Sequence, residues 1–299
     1  MPPGADVQAG RPPHPDPLPQ EPVLGRASAT PYGERGRGAP GSALQAARFV
    51  RYGAGQSTQT SLRAVAVEAP IEIAYGGQPF AVMMGTPADL EDFGVGFSLT
   101  EGIVAGFADI RAIEATMGPD AARIDVALTG ERLHAHLARR RAIAGRTGCG
   151  ICGIEDLDHL PKARAGGVAR APAPAAVGRA VAALEGLQPL NALTRAVHGA
   201  AWVSEDGAIA LVREDVGRHN ALDKCVGALL RAGASPEGGF FLVTSRCSYE
   251  MVTKAAAFGA SALVSVSAPT SLALRAAEAA GVYLLAVARA DGALHFEGP

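Results

Sequence analysis

From Ala176 onward, helix-length and strand-length segments alternate, and this alternation constrains the fold more than any other feature of the chain. Helical patterns at Ala176–Glu185 and Leu190–Ala196 lead to an apolar run at Ala200–Ser204. A polar turn, Glu205-Asp206-Gly207, then separates it from a second run at Ala208–Val212. Helix Asn220–Ala232, strand Phe240–Thr244, helix Tyr249–Phe258, strand Ala262–Val266, helix Thr270–Ala280 and strand Val282–Ala288 follow in turn. Strands joined through helices are crossover connections, and crossovers make parallel neighbours. The pattern predicts a three-layer α/β/α domain over residues 176–299, with a largely parallel sheet opened by one antiparallel hairpin.

Upstream the pattern changes. Ala64, Val65, Val67, Ile71 and Ile73 run into Tyr75, then Gly76-Gly77, then Phe80–Met84, the signature of two strands about a glycine turn. Thr86-Pro87-Ala88-Asp89 reads as a helix start, with Thr86 as N-cap, Pro87 at the first helical position and an acidic first turn in Asp89, Glu91 and Asp92. Strand-like runs at Ile110–Thr116 and Arg123–Leu128 and a basic helix over Glu131–Ala144 complete a smaller α+β domain over residues 60–145. Residues 146–175 form a glycine-rich loop and a Pro/Gly/Ala linker. Residues 1–45 hold about half of the 21 prolines and few aliphatic residues. Such a segment buries too little apolar surface to offset its ordering entropy, so it reads as a disordered tail with polyproline character around Arg11–Pro22.

Composition removes several classes of function. A net charge of −2 over 299 residues argues against a dedicated nucleic-acid binder. No apolar run reaches the ~18 residues that a membrane span needs, and the N-terminus has no apolar signal core. Four cysteines in a chain of this length do not make a disulfide scaffold. The expected compartment is the cytoplasm.

Chemistry concentrates in four places. In Arg146-Thr-Gly-Cys149-Gly-Ile-Cys152-Gly153 two thiols can share a metal, close a disulfide, or act as an attacking and a resolving pair. The flanking glycines leave the sulfurs uncovered, and Arg146 favours the thiolate. Cys225 and Cys247 fit no zinc-ligand spacing with them, and no metal ligand is assigned. The second place is Arg213-Glu-Asp-Val-Gly217-Arg218-His219-Asn-Ala-Leu-Asp223-Lys224, at a strand-to-helix junction. Ligands of open α/β sheets collect at such junctions, and Gly217, Arg218 and His219 suit a phosphate or a heteroaromatic ring. Asp223 and Lys224 read as an exposed helix face. Thr244-Ser245-Arg246-Cys247-Ser-Tyr-Glu250 and Ser265-Val-Ser-Ala-Pro-Thr270-Ser271 repeat the geometry at the next two strand ends. Together these ends would line one sheet edge with hydroxyls, arginines and glycines, as a polar, phosphate-bearing ligand requires.

The same segments, with Thr86-Pro-Ala-Asp-Leu-Glu-Asp-Phe93 and Glu101-Gly-Ile103, resemble the formate dehydrogenase accessory sulfurtransferase (FdhD) family from about residue 60 to the end. That resemblance implies a cytidine-deaminase-like α/β domain, although the deaminase signature H-x-E with P-C-x-x-C is absent. It implies a sulfurtransferase, with Cys149 carrying a persulfide received from a cysteine desulfurase and Cys152 assisting or resolving. The sulfur passes to the molybdenum bis(molybdopterin guanine dinucleotide) cofactor, bound as substrate, and the partner served is formate dehydrogenase. It places cofactor contacts at Val287, Ala288, Arg289, Ala290, Asp291 and Gly292, beside Gly217, Arg218, His219, Ser245, Arg246 and Thr270, and implies a homodimer. The competing reading is a chaperone that holds the cofactor without moving sulfur; it would dispense with the cysteines and keep the strand-end motifs.

Overall fold

The computed structural model describes residues 43–50, 60–132 and 168–296. The tail up to residue 42, the glycine-rich loop with Cys149 and Cys152, the expected helix beyond Arg132 and the linker up to residue 167 lie outside the described residues.

Strands β1 (Leu44–Val50) and β2 (Thr60–Ala66) pair antiparallel, in register from Leu44 opposite Ala66 to Val50 opposite Thr60. The sequence pattern predicts that order begins near Leu62, and that expectation is corrected here. The Leu-Gln-Ala-Ala-Arg stretch of β1 has little intrinsic strand preference, and its conformation comes from its partner. The glycine hairpin holds: β3 (Ala69–Tyr75) and β4 (Gln78–Gly85) turn through Gly76 and Gly77 at φ +57° and +79°. Only residues free of a Cβ take both positions without strain. Strands β5 (Ile110–Met117) and β6 (Ala122–Leu128) complete a four-stranded sheet of order β4-β3-β6-β5, with β3 and β6 parallel.

Helix α1 (Leu90–Thr100) lies on this sheet, and nine of its eleven residues are buried. A helix enclosed all round needs two close approaches, and glycines supply both. A methyl group on Gly94 would sit 2.6 Å from Ile124 Cγ2 of the sheet, and one on Gly96 would sit 1.8 Å from the Asp223 carbonyl oxygen on the far side. The start of α1 differs from expectation. Asp89, at φ +51°, precedes the first helical residue, and Thr86 is not the cap. The polar groups of Thr86 instead bond across to the second half of the molecule.

That half begins with α2 (Pro174–Leu184) and the short α3 (Pro189–Thr194). Its sheet comprises β7 (His198–Ser204), β8 (Ile209–Asp215), β9 (Gly239–Val243), β10 (Ala262–Ser265), β11 (Tyr283–Arg289) and β12 (Gly292–His295), in the order β12-β11-β10-β9-β7-β8. The expectation of a largely parallel sheet is corrected. Only the β9–β10 and β10–β11 pairs are parallel; β7–β8, β7–β9 and β11–β12 are antiparallel. The hairpin places β7, not β8, beside β9, and β12 turns straight back along β11.

Helices α4 (Arg218–Arg231), α5 (Tyr249–Phe258) and α6 (Ser271–Ala280) cover one face and α2 covers the other. Period-two alternation sorts the strands between them. Ala200, Trp202, Phe241 and Val243 face the three helices, and Ala201, Val203, Phe240 and Leu242 face α2. The core under α4 and α5 is continuous with Ile71, Ile73, Ile124 and Val126 of the first sheet. Among the described residues no helix is long and apolar enough to cross a membrane.

The α1–α4 crossing joins the two sheets through paired glycines: a methyl group on Gly227 would sit 1.8 Å from the Asp92 carbonyl oxygen. Backbone cannot yield as a side-chain tip can, so overpacking here is costly. Gly96→Ala should lower unfolding free energy by at least about 1–3 kcal/mol in urea melts. Gly186→Ala, with nothing within 4 Å of the added methyl, should stay within about 0.5 kcal/mol of the parent. Equal stabilities would mean that the helices are farther apart than described.

Candidate functional site

Sheet direction creates the site edge. Strand β8 runs antiparallel to β7, and β7 runs antiparallel to β9, so β8 points the same way as β9, β10 and β11. All four strands therefore end at one edge, and the start of the intervening β7, His198, lies there as well.

Asp215, the last residue of β8, is fully buried and organises the first corner. One carboxylate oxygen accepts from Gly217 N at 2.7 Å and Asn220 Nδ2 at 3.1 Å. The other accepts from Thr86 N at 2.9 Å and Lys224 Nζ at 2.6 Å. Lys224 Nζ also donates to the Thr86 carbonyl at 2.8 Å, Val216 N donates to Thr86 Oγ1 at 3.1 Å, and Asn220 Nδ2 donates to the Met84 carbonyl at 2.8 Å. The β4–α1 turn and the β8–α4 turn are thus tied into one unit. Asp223 and Lys224, expected on an exposed face, are both buried with no accessible surface. Helix α4 lies between α1 and the sheet, so it has no solvent face at these positions. Asp223 answers Lys254 Nζ at 2.8 Å and Thr100 Oγ1 at 2.7 Å.

This frame sets Gly217 before the helix and places Arg218 and His219 at the edge, each partly buried. His219 Nε2 lies 2.7 Å from Glu250 Oε2 at the start of α5. Burial would raise the Glu250 carboxyl, but His219, with Lys254 and Arg218 beyond it, outweighs burial and holds it below the usual carboxylate range. Arg218 Nε and Ser248 Oγ are buried at this corner and make no hydrogen bond among the described residues. Buried donors without acceptors are costly, so their concentration at one edge marks a place for a ligand. His198 is half-buried beside Arg218; burial and that guanidinium, against the opposing Asp215, lower its imidazole pKa.

The second corner is stitched from two loops. Cys247 N donates to the Ala268 carbonyl at 3.2 Å, Thr270 N donates to the Cys247 carbonyl at 3.0 Å, and Ser265 Oγ donates to the Ser245 carbonyl at 2.7 Å. Arg246 points outward and is exposed. The Thr270 hydroxyl accepts from Ala273 N at 3.3 Å and caps α6. The end of β11 joins them, with Val287 N donating to the Ser267 carbonyl at 3.1 Å and Arg289 Nη1 to the Val266 carbonyl at 2.7 Å. Val287 holds φ +53° where the β11–β12 register shifts. That conformation costs a β-branched residue on the order of 1–3 kcal/mol, and such strain clusters at ligand sites. Ala288 is buried, and Ala290, Asp291 and Gly292 form the exposed turn into β12.

The structure therefore brings Gly217, Arg218 and His219 to one end of an edge and Ser245, Arg246, Thr270 and the Val287–Gly292 segment to the other. Sequence reasoning missed His198 and gave Glu250 no role. The antiparallel hairpin is legible in the sequence, but its first strand is expected to begin at Ala200, and β7 begins two residues earlier, with His198 opposite Asp215. Cys247 is buried, and burial pushes its thiol up to about 12. Cys225 is buried and raised likewise. Burial thus disfavours the thiolate form of both.

Removing Lys224 leaves the Asp215 charge buried without its cation. Lys224→Met should therefore cost about 3–5 kcal/mol of stability in urea unfolding. A loss below about 1 kcal/mol would show that solvent reaches the pair.

The family described as FdhD/NarQ matches residues 66–299. A protein named sulfur carrier protein FdhD from Bordetella petrii is 46% identical over 243 residues, covering 81% of this chain and 87% of its own. Its namesake from Xanthomonas euvesicatoria is 44% identical over 269 residues, covering 87% and 92%. Among solved structures, a formate dehydrogenase accessory protein from Desulfotalea psychrophila superposes with a TM-score of 0.66 at 26% identity, covering 86% of this chain and 98% of that one. The chain belongs to the FdhD/NarQ family.

Proposed function

We propose that this chain is a sulfur carrier that serves formate dehydrogenase. Identity of 46% and 44% to sulfur carriers, over more than four-fifths of this chain in each case, carries the reading. In this account the protein is a cytoplasmic homodimeric sulfurtransferase with a cytidine-deaminase-like α/β layer, and the thiols of its C-x-x-C loop are the working groups. The Cys149 thiolate attacks the terminal sulfur of a cysteine desulfurase persulfide. One S–S bond breaks as another forms, the desulfurase leaves as its thiolate, and no net oxidation occurs. The Cys152 thiolate then attacks the inner sulfur of the Cys149 persulfide, closing a disulfide and releasing hydrosulfide to the soft metal of the substrate cofactor. A thiol reductant resets the pair.

The molybdenum bis(molybdopterin guanine dinucleotide) cofactor lies along the strand-end edge in this account. From β8 to β11 the edge crosses four strand spacings, about 19 Å at ~4.8 Å each. That length suits an extended dinucleotide better than a compact ligand. Arg218 and His219 serve one end, and Ser245, Arg246, Thr270 and the Val287–Gly292 turn serve the other. The C-x-x-C segment and the strand-end motifs are different stretches of the sequence, so substitutions in them should fail separately.

Incubation with a desulfurase and cysteine should add the mass of one sulfur atom to Cys152→Ser, which cannot discharge the persulfide, and none to Cys149→Ser. Serine matches the thiol in size but is a far poorer nucleophile at neutral pH. Arg218→Ala should load sulfur normally and bind GDP about tenfold or more weakly in calorimetry. A sulfur adduct on Cys149→Ser would place the carrier thiol elsewhere, absence of an adduct on Cys152→Ser would overturn the carrier assignment, and unchanged GDP affinity in Arg218→Ala would move the cofactor elsewhere.

A further inference from the structure

His198 stands opposite Asp215 in the β7–β8 register, at the only end of β7 that reaches the site edge. Three charged or titratable groups face it directly. Arg218 and His219 approach from α4, Asp215 stands beside it on β8, and Glu250 of α5 reaches the corner through His219. The two carboxylates are already engaged. Asp215 accepts from four donors, and Glu250 answers His219 at 2.7 Å. Arg218 Nε and Ser248 Oγ remain buried without partners among the described residues. The corner is thus rich in donors and cations and short of an acceptor.

We propose that His198 contacts the ligand in this corner and takes up a proton when a phosphate group seats between it and Arg218. The inference rests on the reading of the edge as a nucleotide site. It deepens that reading by assigning the phosphate end to the β7–β8–α4 corner. In the free protein, burial and the neighbouring guanidinium lower the imidazole pKa, since a further cation would stand uncompensated there. An anion within ~4–6 Å reverses the balance, because opposite charge favours the protonated ring. The ring then donates a charge-assisted hydrogen bond to a phosphate oxygen. No bond to sulfur or metal is involved, and the proton comes from solvent.

The test is calorimetry of GDP binding at pH 7.5 in two buffers of different ionisation enthalpy, with the full chain and with His198→Gln. Glutamine keeps a donor and an acceptor but cannot titrate. The parent should take up measurably more protons than His198→Gln, up to one per site, and the variant should bind roughly threefold to tenfold more weakly. Comparing the two proteins cancels the ionisation of GDP itself. Imidazole NMR of the parent supplies a second readout independent of the variant's folding: the His198 titration midpoint should move up when GDP is added. Equal proton uptake in the two proteins, or a midpoint that GDP does not move, would overturn the proposal while leaving the nucleotide site intact. Absence of any GDP binding by the parent would overturn the nucleotide reading and this assignment together.

Discussion

The buried carboxylate of Asp215 holds the two halves of the molecule in one arrangement. A charge with no accessible surface is tolerated only when its lone pairs are satisfied and a counter-charge stands close. Here the donors come from three places in the sequence: the Thr86 turn, the Gly217 turn and the inner face of α4. Satisfying one charge therefore fixes the position of α1, the start of α4 and the end of β8. Two further charge networks extend the lock. Asp92 of α1 accepts from Arg213 Nε at 2.9 Å and also meets Arg231 of α4, and Lys254 of α5 bridges Asp223 and Glu101. Hydrophobic burial brings α1 against α4, and these charges select the register in which they meet.

The same lock explains why the edge is preformed. Arg218 and His219 follow directly from a turn that has no freedom to move without unpairing Asp215. At the opposite corner the Cys247 and Thr270 loops share backbone hydrogen bonds, and Val287 is held in a left-handed conformation between them and β12. A rigid edge with unpartnered donors suits recognition of a polar ligand, because little ordering remains to be done on binding. In the proposed mechanism sulfur is carried by Cys149 and Cys152, which stand between glycines in a different stretch of the sequence.

Much of this arrangement is legible in the amino-acid sequence. The strands and helices from β7 to β11 fall within a few residues of their expected places, because each is bounded by turn residues and has a clear period. The strand-end motifs gather on one edge, as their positions between strand and helix imply. Pairing partners and burial of charge are not legible. Strands β1 and β12 have weak local signals, and pairing defines them. Thr86 matches a helix cap in sequence, but a buried carboxylate 129 positions away takes its amide. Asp223 and Lys224 look like surface residues because a lone sequence does not show that α4 has α1 on its outer side. His198 escapes notice because it precedes the apolar run that marks its strand, and only pairing with Asp215 extends β7 back to it.

The account separates a cysteine that carries sulfur from an edge that holds the cofactor, and complementation of a strain lacking its own accessory protein tests that separation most directly. The Cys149→Ser protein should accumulate normally and yield formate dehydrogenase that contains molybdenum cofactor yet is inactive. Full formate dehydrogenase activity in that strain would contradict the sulfur-carrier account and leave a cofactor-holding chaperone in its place.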